Sequence, residues 1–246
     1  MAYLKGGMVM EQAAKEILLK RCQQAGEHHE RVRHLLPNGV PKRSRLYLSR
    51  SAIDLAVEHH LAIVALVEAG RYSASAAALL RPLLESGASA WWFLYVAPTD
   101  RLRRIRTAID DPKLRDKVPE LSDCLKGLEK LFPGAAVLRR GLNNEGSATW
   151  LHDFTHGGVL QLRRRSQAEH WSLQELLTHL VIADLFFTVA CLPATKIYSA
   201  PELATFLFAK RDELGSESAQ LLRHSLPEKQ PHELPDLTLV DPWDVD

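Results

Sequence analysis

From Val9 to Leu222 the apolar residues return at intervals of three and four, and no run alternates apolar and polar residues with the β-branched enrichment of a strand. A chain patterned this way can bury its apolar surface only by packing helix on helix, so the expected fold is all-α, a single bundle of seven to eight helices. At 246 residues and 46% hydrophobic composition the chain can bury roughly 70–75% of its unfolded surface and needs no cross-link to hold a core.

Proline and glycine punctuate the pattern. A first helix is expected from Val9 to Leu36, ended by Pro37-Asn38-Gly39; a second from Ser44 to Ala69, with Ile53, Val57, His60, Leu61, Val64 and Val67 on one stripe and Gly70 as the stop. A third should start at Ser73 or Ser75 and reach Tyr95, kinked or divided near Arg81 by Pro82. After Pro98 come a short basic helix, RLRRIRTAI, an amphipathic stretch from Lys113 to Phe132 interrupted at Pro119, and a helix from Ala135 to Leu142. Ser172 with Glu175 three residues on is a capping box for a long helix to Tyr198, its last turn bent by Pro193, and a final helix runs from Pro201 to Leu222. The bundle is thus assigned to residues 1–224, and residues 225–246, rich in Pro and acids, to an extended, mobile tail.

That tail holds six acids and one Lys, so the near-neutral chain, with 31 bases against 30 acids, conceals a body of net +6. A phosphate-bearing partner is compatible with that charge but is not demanded by it. Three cysteines without CxxC spacing fit a reducing compartment, and the start lacks the apolar core of a signal peptide, so a cytoplasmic location is expected. The apolar run Leu176–Ala194 carries His179 and Asp184 in its interior and reads as a buried core helix; no membrane association is expected.

One segment is chemically unusual. Trp150 to Arg165, WLHDFTHGGVLQLRRR, gathers two histidines, an acid, paired glycines and three arginines. On a helix His152 and His156 would share a face. A transition metal held there would need further ligands, for which Asp54, Glu58, Glu85 and Asp184 are candidates; the Glu-x-x-His pair of di-iron bundles is absent, and the simpler reading has these histidines bonded within the core or paired with acids. No metal or cofactor is required. Arg81 and Glu85 lie one helical turn apart among leucines, either as a structural ion pair or with Glu85 orienting Arg81 toward a phosphate or carboxylate. His28-His29 reads as a surface pair, and His60 as a core histidine facing Glu85.

The LLRPLLE patch at Arg81 and Glu85, with the run Trp150, Leu151, His152, Asp153, Phe154, Thr155, His156, Gly157, resembles an uncharacterised bacterial all-helical family related to the HEPN superfamily and to abortive-infection-type proteins, over roughly Ser44 to Tyr198. The resemblance implies a helical bundle, frequently dimeric, in bacterial conflict or toxin systems. Active HEPN ribonucleases place His four to six residues after Arg and cleave RNA at a dimer interface without metal; His moves the proton and Arg offsets charge on phosphate. Arg165 to His170 has the four-residue spacing and Arg21 to His28 the six-residue one.

Two functions follow as expectations. The first is a metal-independent ribonuclease, or a degenerate relative of one, in a bacterial defence system, acting as a homodimer on RNA or another phosphate-bearing ligand. Its catalytic candidates are His152, His156, Arg165 and His170, with Arg81, Glu85, Arg163 and Arg164 binding the ligand. The second is a noncatalytic binding or regulatory module in which the Arg/Glu/His cluster is an internal strut or a ligand pocket. A metal-binding bundle stands third.

Overall fold

The computed structural model describes residues 2–70, 72–111, 113–114, 116–143, 155 and 171–225, and the fold is all-α. Eight helices have described bounds: α1 (Ala2–Leu35), α2 (Ser44–Glu68), α3 (Ser73–Tyr95), α4 (Thr99–Asp110), α5 (Leu121–Leu128), α6 (Pro133–Asn143), α7 (Leu173–Tyr198) and α8 (Pro201–Ser225). Thr155, between α6 and α7, is also helical. The expected tail at 225–246 falls, apart from Ser225, outside the described residues.

The core forms where α2, α3 and α7 meet. Ile53, Ile63, Leu80, Leu83 and Phe187 are fully enclosed there, with Leu203 and Leu207 of α8 closing it from the side of α7. Small residues let α3 and α7 approach closely: a Cβ placed on Gly87 would stand 3.0 Å from the Cβ of Ala190. Arg45, in the first turn of α2, donates to the carbonyls of Phe93, Leu94 and Ala97 at 2.9, 3.1 and 2.6 Å, and so caps the end of α3. The capping box at Ser172 and Glu175 is present, and Ser199 ends α7 in the left-handed region at φ 50°.

Neither proline interrupts its helix: α3 is not divided at Pro82, and α7 reaches Tyr198 as expected, five residues past Pro193. Each proline deprives the carbonyl four residues earlier of its helical donor, and in each case a side chain from elsewhere replaces it. The Trp91 indole donates to Val189 O at 2.9 Å, and the Thr155 hydroxyl donates to Ala78 O at 3.3 Å. A correction concerns Lys113–Phe132, where helix among the described residues is confined to Leu121–Leu128. Asp111 and Val118 each precede a proline, which disfavours helical backbone, and Asp111 is extended with ψ 103°.

Within α7 an 18-residue window has a mean hydropathy of 1.9, enough for a membrane span by composition, and 61% of that window is buried inside the bundle. That burial is what a core helix requires.

Candidate functional site

Two polar constellations sit on this scaffold, one inside it and one at its surface. The inner one grows from α1. Cys22, Ala25, His29, Val32 and Leu36 recur at intervals of three and four and are all buried, so the stripe that docks α1 carries a histidine where an apolar residue would ordinarily sit. Arg21 and His28 flank the stripe and are buried with it. Opposite lie His60 from α2 and Asp184 from the middle of α7, 0% and 1% exposed.

Asp184 is the hub. Its Oδ2 meets Arg21 Nη2 at 2.6 Å, and its Oδ1 meets His60 Nε2 at 2.7 Å and His28 Nδ1 at 3.2 Å. The His29 and His60 rings stack, with their Nδ1 atoms 3.2 Å apart, and Phe187 stacks on His60 with centroids 4.2 Å apart. Thr188 donates to Asp184 O at 2.7 Å and presents its oxygen to His28 Nε2 at 3.3 Å. Outside this group Glu217 reaches Arg21 Nε at 3.6 Å. The electrostatics follow from enclosure. Burial alone would raise the Asp184 carboxyl, but the hydrogen bonds from His28 and His60 and the positive charge of Arg21 prevail and hold it well below the usual carboxylate range. Burial, then the neighbouring His60, Arg33 and His28, lowers His29 to about 4, and burial also lowers His60 despite its bond to Asp184.

This cluster corrects two readings. His28-His29 is an interior pair, not a surface one, because the α1 stripe turns it inward; His60 faces Asp184 rather than Glu85, because α7 and not α3 passes its ring. The missed signal was the spacing Cys22, Ala25, His29, Val32, Leu36, which sets the α1 histidines toward the Asp184 already evident inside the apolar α7.

The second constellation is the Arg81 cleft. Arg81 Nε donates to Glu85 Oε1 at 2.8 Å, the expected one-turn pair, half-open to solvent at 28% and 42% exposure. Around it a cleft of about 710 Å³ runs between α2, α3, α4 and the stretch before α5. Leu55, Ile109 and Val118 line it while roughly half exposed, and His59, Ser86 and Thr155 add polar groups. Thr155, the one described residue of the unusual Trp150–Arg165 segment, bonds to Ala78 in the turn of α3 that precedes Arg81. His152, His156, Arg163, Arg164, Arg165 and His170 lie outside the described residues.

A model for the family of unknown function DUF6988 matches residues 53–214, from the first half of α2 into α8. The chain belongs to that family. No curated protein and no solved structure matches it. In this DUF6988 protein His60, Arg81, Glu85 and Asp184 fall within the matched span, whereas Arg21, His28 and His29 precede it.

Proposed function

We propose that the chain is a noncatalytic helical binding module, with the Asp184 cluster as its internal strut and the Arg81 cleft as its ligand site. The observation that carries this reading is the state of Arg21 and His28. They have the six-residue spacing of an Arg–His nuclease pair, yet both are enclosed, 8% and 4% exposed, and both are bonded to Asp184. A phosphodiester would have to displace that carboxylate from the interior to reach them, and breaking a buried, hydrogen-bonded charge pair costs about 3–5 kcal/mol.

The cleft has the dimensions of a small-molecule site, which typically spans roughly 300–1,000 Å³ with an apolar lining and few polar groups. Leu55, Ile109 and Val118 suit an apolar body; Arg81, oriented through Nε by Glu85, suits a carboxylate or phosphate at one end of it. Phosphate-bearing small molecules are therefore among the ligands.

The test uses 8-anilinonaphthalene-1-sulfonate, an apolar fluorophore with one anion, titrated into the folded chain. Saturable binding weakened at least tenfold in both Arg81→Met and Leu55→Asp, with melting temperatures retained, is expected. Binding unaffected by either substitution would remove the cleft from the account.

A further inference from the structure

We propose that the Asp184 cluster is a binding site for a first-row transition dication, zinc above all, with His28 Nδ1, His60 Nε2 and Asp184 Oδ1 as protein ligands. The inference is independent of the Arg81 cleft, which lies on other faces of α2 and α3. Three helices, α1, α2 and α7, each contribute one ligand, and the ligand atoms lie within 4.8 Å of one another. Two imidazoles and a carboxylate, all buried, are a donor set that such ions favour.

Hydrogen-bond accounting points the same way. Thr188 commits its hydroxyl proton to Asp184 O, so its oxygen can only accept, and His28 Nε2 must be the protonated nitrogen of that ring. His28 Nδ1 faces Asp184 Oδ1 at 3.2 Å, a contact that either a second ring proton or a metal ion can bridge. A dication can take the place of that proton. His60 Nε2 converges on the same oxygen from α2, so one metal ion replaces both bridging protons.

The outer partners fit as well. A ligating imidazole ordinarily donates its other N–H to a fixed acceptor, which orients the ring. For His28 that acceptor is Thr188, and for His60 it is Nδ1 of His29, 3.2 Å from its own Nδ1. Arg21 holds the carboxylate by Oδ2 and leaves Oδ1 to the ion, while Glu217 on the far edge of Arg21 offsets its charge, so these three groups sum to one negative unit. Phe187 and Phe206 form an apolar shell around the His28 ring. An ion there would pin α1 to α2 and α7.

The test is titration of the full, tag-free chain, stripped with dipicolinate, by Co²⁺ and then Zn²⁺. About one equivalent of Co²⁺ should bind with visible d–d bands of a four- or five-coordinate ion, Zn²⁺ should displace it, and the melting temperature should rise. His28→Gln and His60→Gln, shown folded by circular dichroism, should each weaken uptake at least a hundredfold. Should either variant fail to fold, the cobalt spectrum of the parent and its paramagnetic shift of the His28 and His60 ring protons decide the matter. A folded parent that takes up no metal at micromolar concentration, or uptake that survives both substitutions, overturns the site.

Discussion

The indole of Trp91 on α3 donates to the carbonyl of Val189 on α7 at 2.9 Å, the acceptor that Pro193 leaves without a helical partner. The long core helix therefore keeps its continuity only because its neighbour supplies the missing donor. Trp91→Phe retains most of the packing and orphans that carbonyl, so it should cost about 1–3 kcal/mol. In a Pro193→Ala background, where the backbone donor is restored, the same substitution should cost measurably less. Urea denaturation of the four proteins in this cycle checks the coupling.

Arg45 joins α2 to the end of α3 through three carbonyls. Arg45→Ala should lower stability by about 1.5–3 kcal/mol, the scale of hydrogen bonds from a charged donor. Arg45→Lys should recover only part of the loss, since an ammonium group cannot reproduce the planar fork. Thermal melts of the two variants distinguish the contributions.

Asp184→Asn keeps the shape of the hub and removes its charge. Arg21 then keeps only its longer contact with the part-exposed Glu217, and the loss should reach about 3–5 kcal/mol, far above the few tenths expected at an exposed acid. Glu85→Gln, at a half-open pair, is the control and should cost no more than about 1 kcal/mol. Equilibrium denaturation of both variants measures the contrast.

Acid should destabilise the metal-free chain through His29. Burial pushes it down to about 4 from the ordinary histidine value of 6.5, so between those limits the unfolded chain binds a proton that the native chain refuses. Stability is then complete above about pH 6.5 and falls as pH drops toward 4, by at most about 1.4 kcal/mol per unit from this residue. His60 acts in the same direction. Asp184, whose pKa is depressed, stays ionised through that window and withdraws its contribution only below about pH 4, the range where an unfolded Asp takes its proton. Denaturant midpoints at pH 7.5, 6, 5 and 4.5 should decline in that order, and His29→Leu should flatten the decline.

How far these features were legible in the sequence depended on how local they were. The capping box at Ser172 and Glu175 lies within four residues and was readable, as was the Arg81–Glu85 pair one turn apart. Pro82 and Pro193 were legible as helix breakers, but not the donors that neutralise them, because Thr155 and Trp91 arrive from 77 and 98 residues away. The stretch from Lys113 to Val118 has amphipathic composition, yet with prolines at 112 and 119 none of its described residues is helical. His28-His29 looked like a solvated pair because both neighbours, Glu27 and Glu30, are charged; only the wider stripe turned it inward, and its partner Asp184 lies 156 residues on from His28.

The central claim is that Arg21 and His28 serve the interior of a noncatalytic binding module rather than a ribonuclease centre. Incubation of the folded chain with single-stranded RNA, with and without added Zn²⁺, followed by analysis of the fragment ends, tests it most directly. Intact RNA from the parent, and from a His28→Gln protein whose stability and metal uptake alone are altered, is the predicted result. Cleavage that yields 2′,3′-cyclic phosphate ends in the parent and disappears in a folded His28→Gln protein would contradict it.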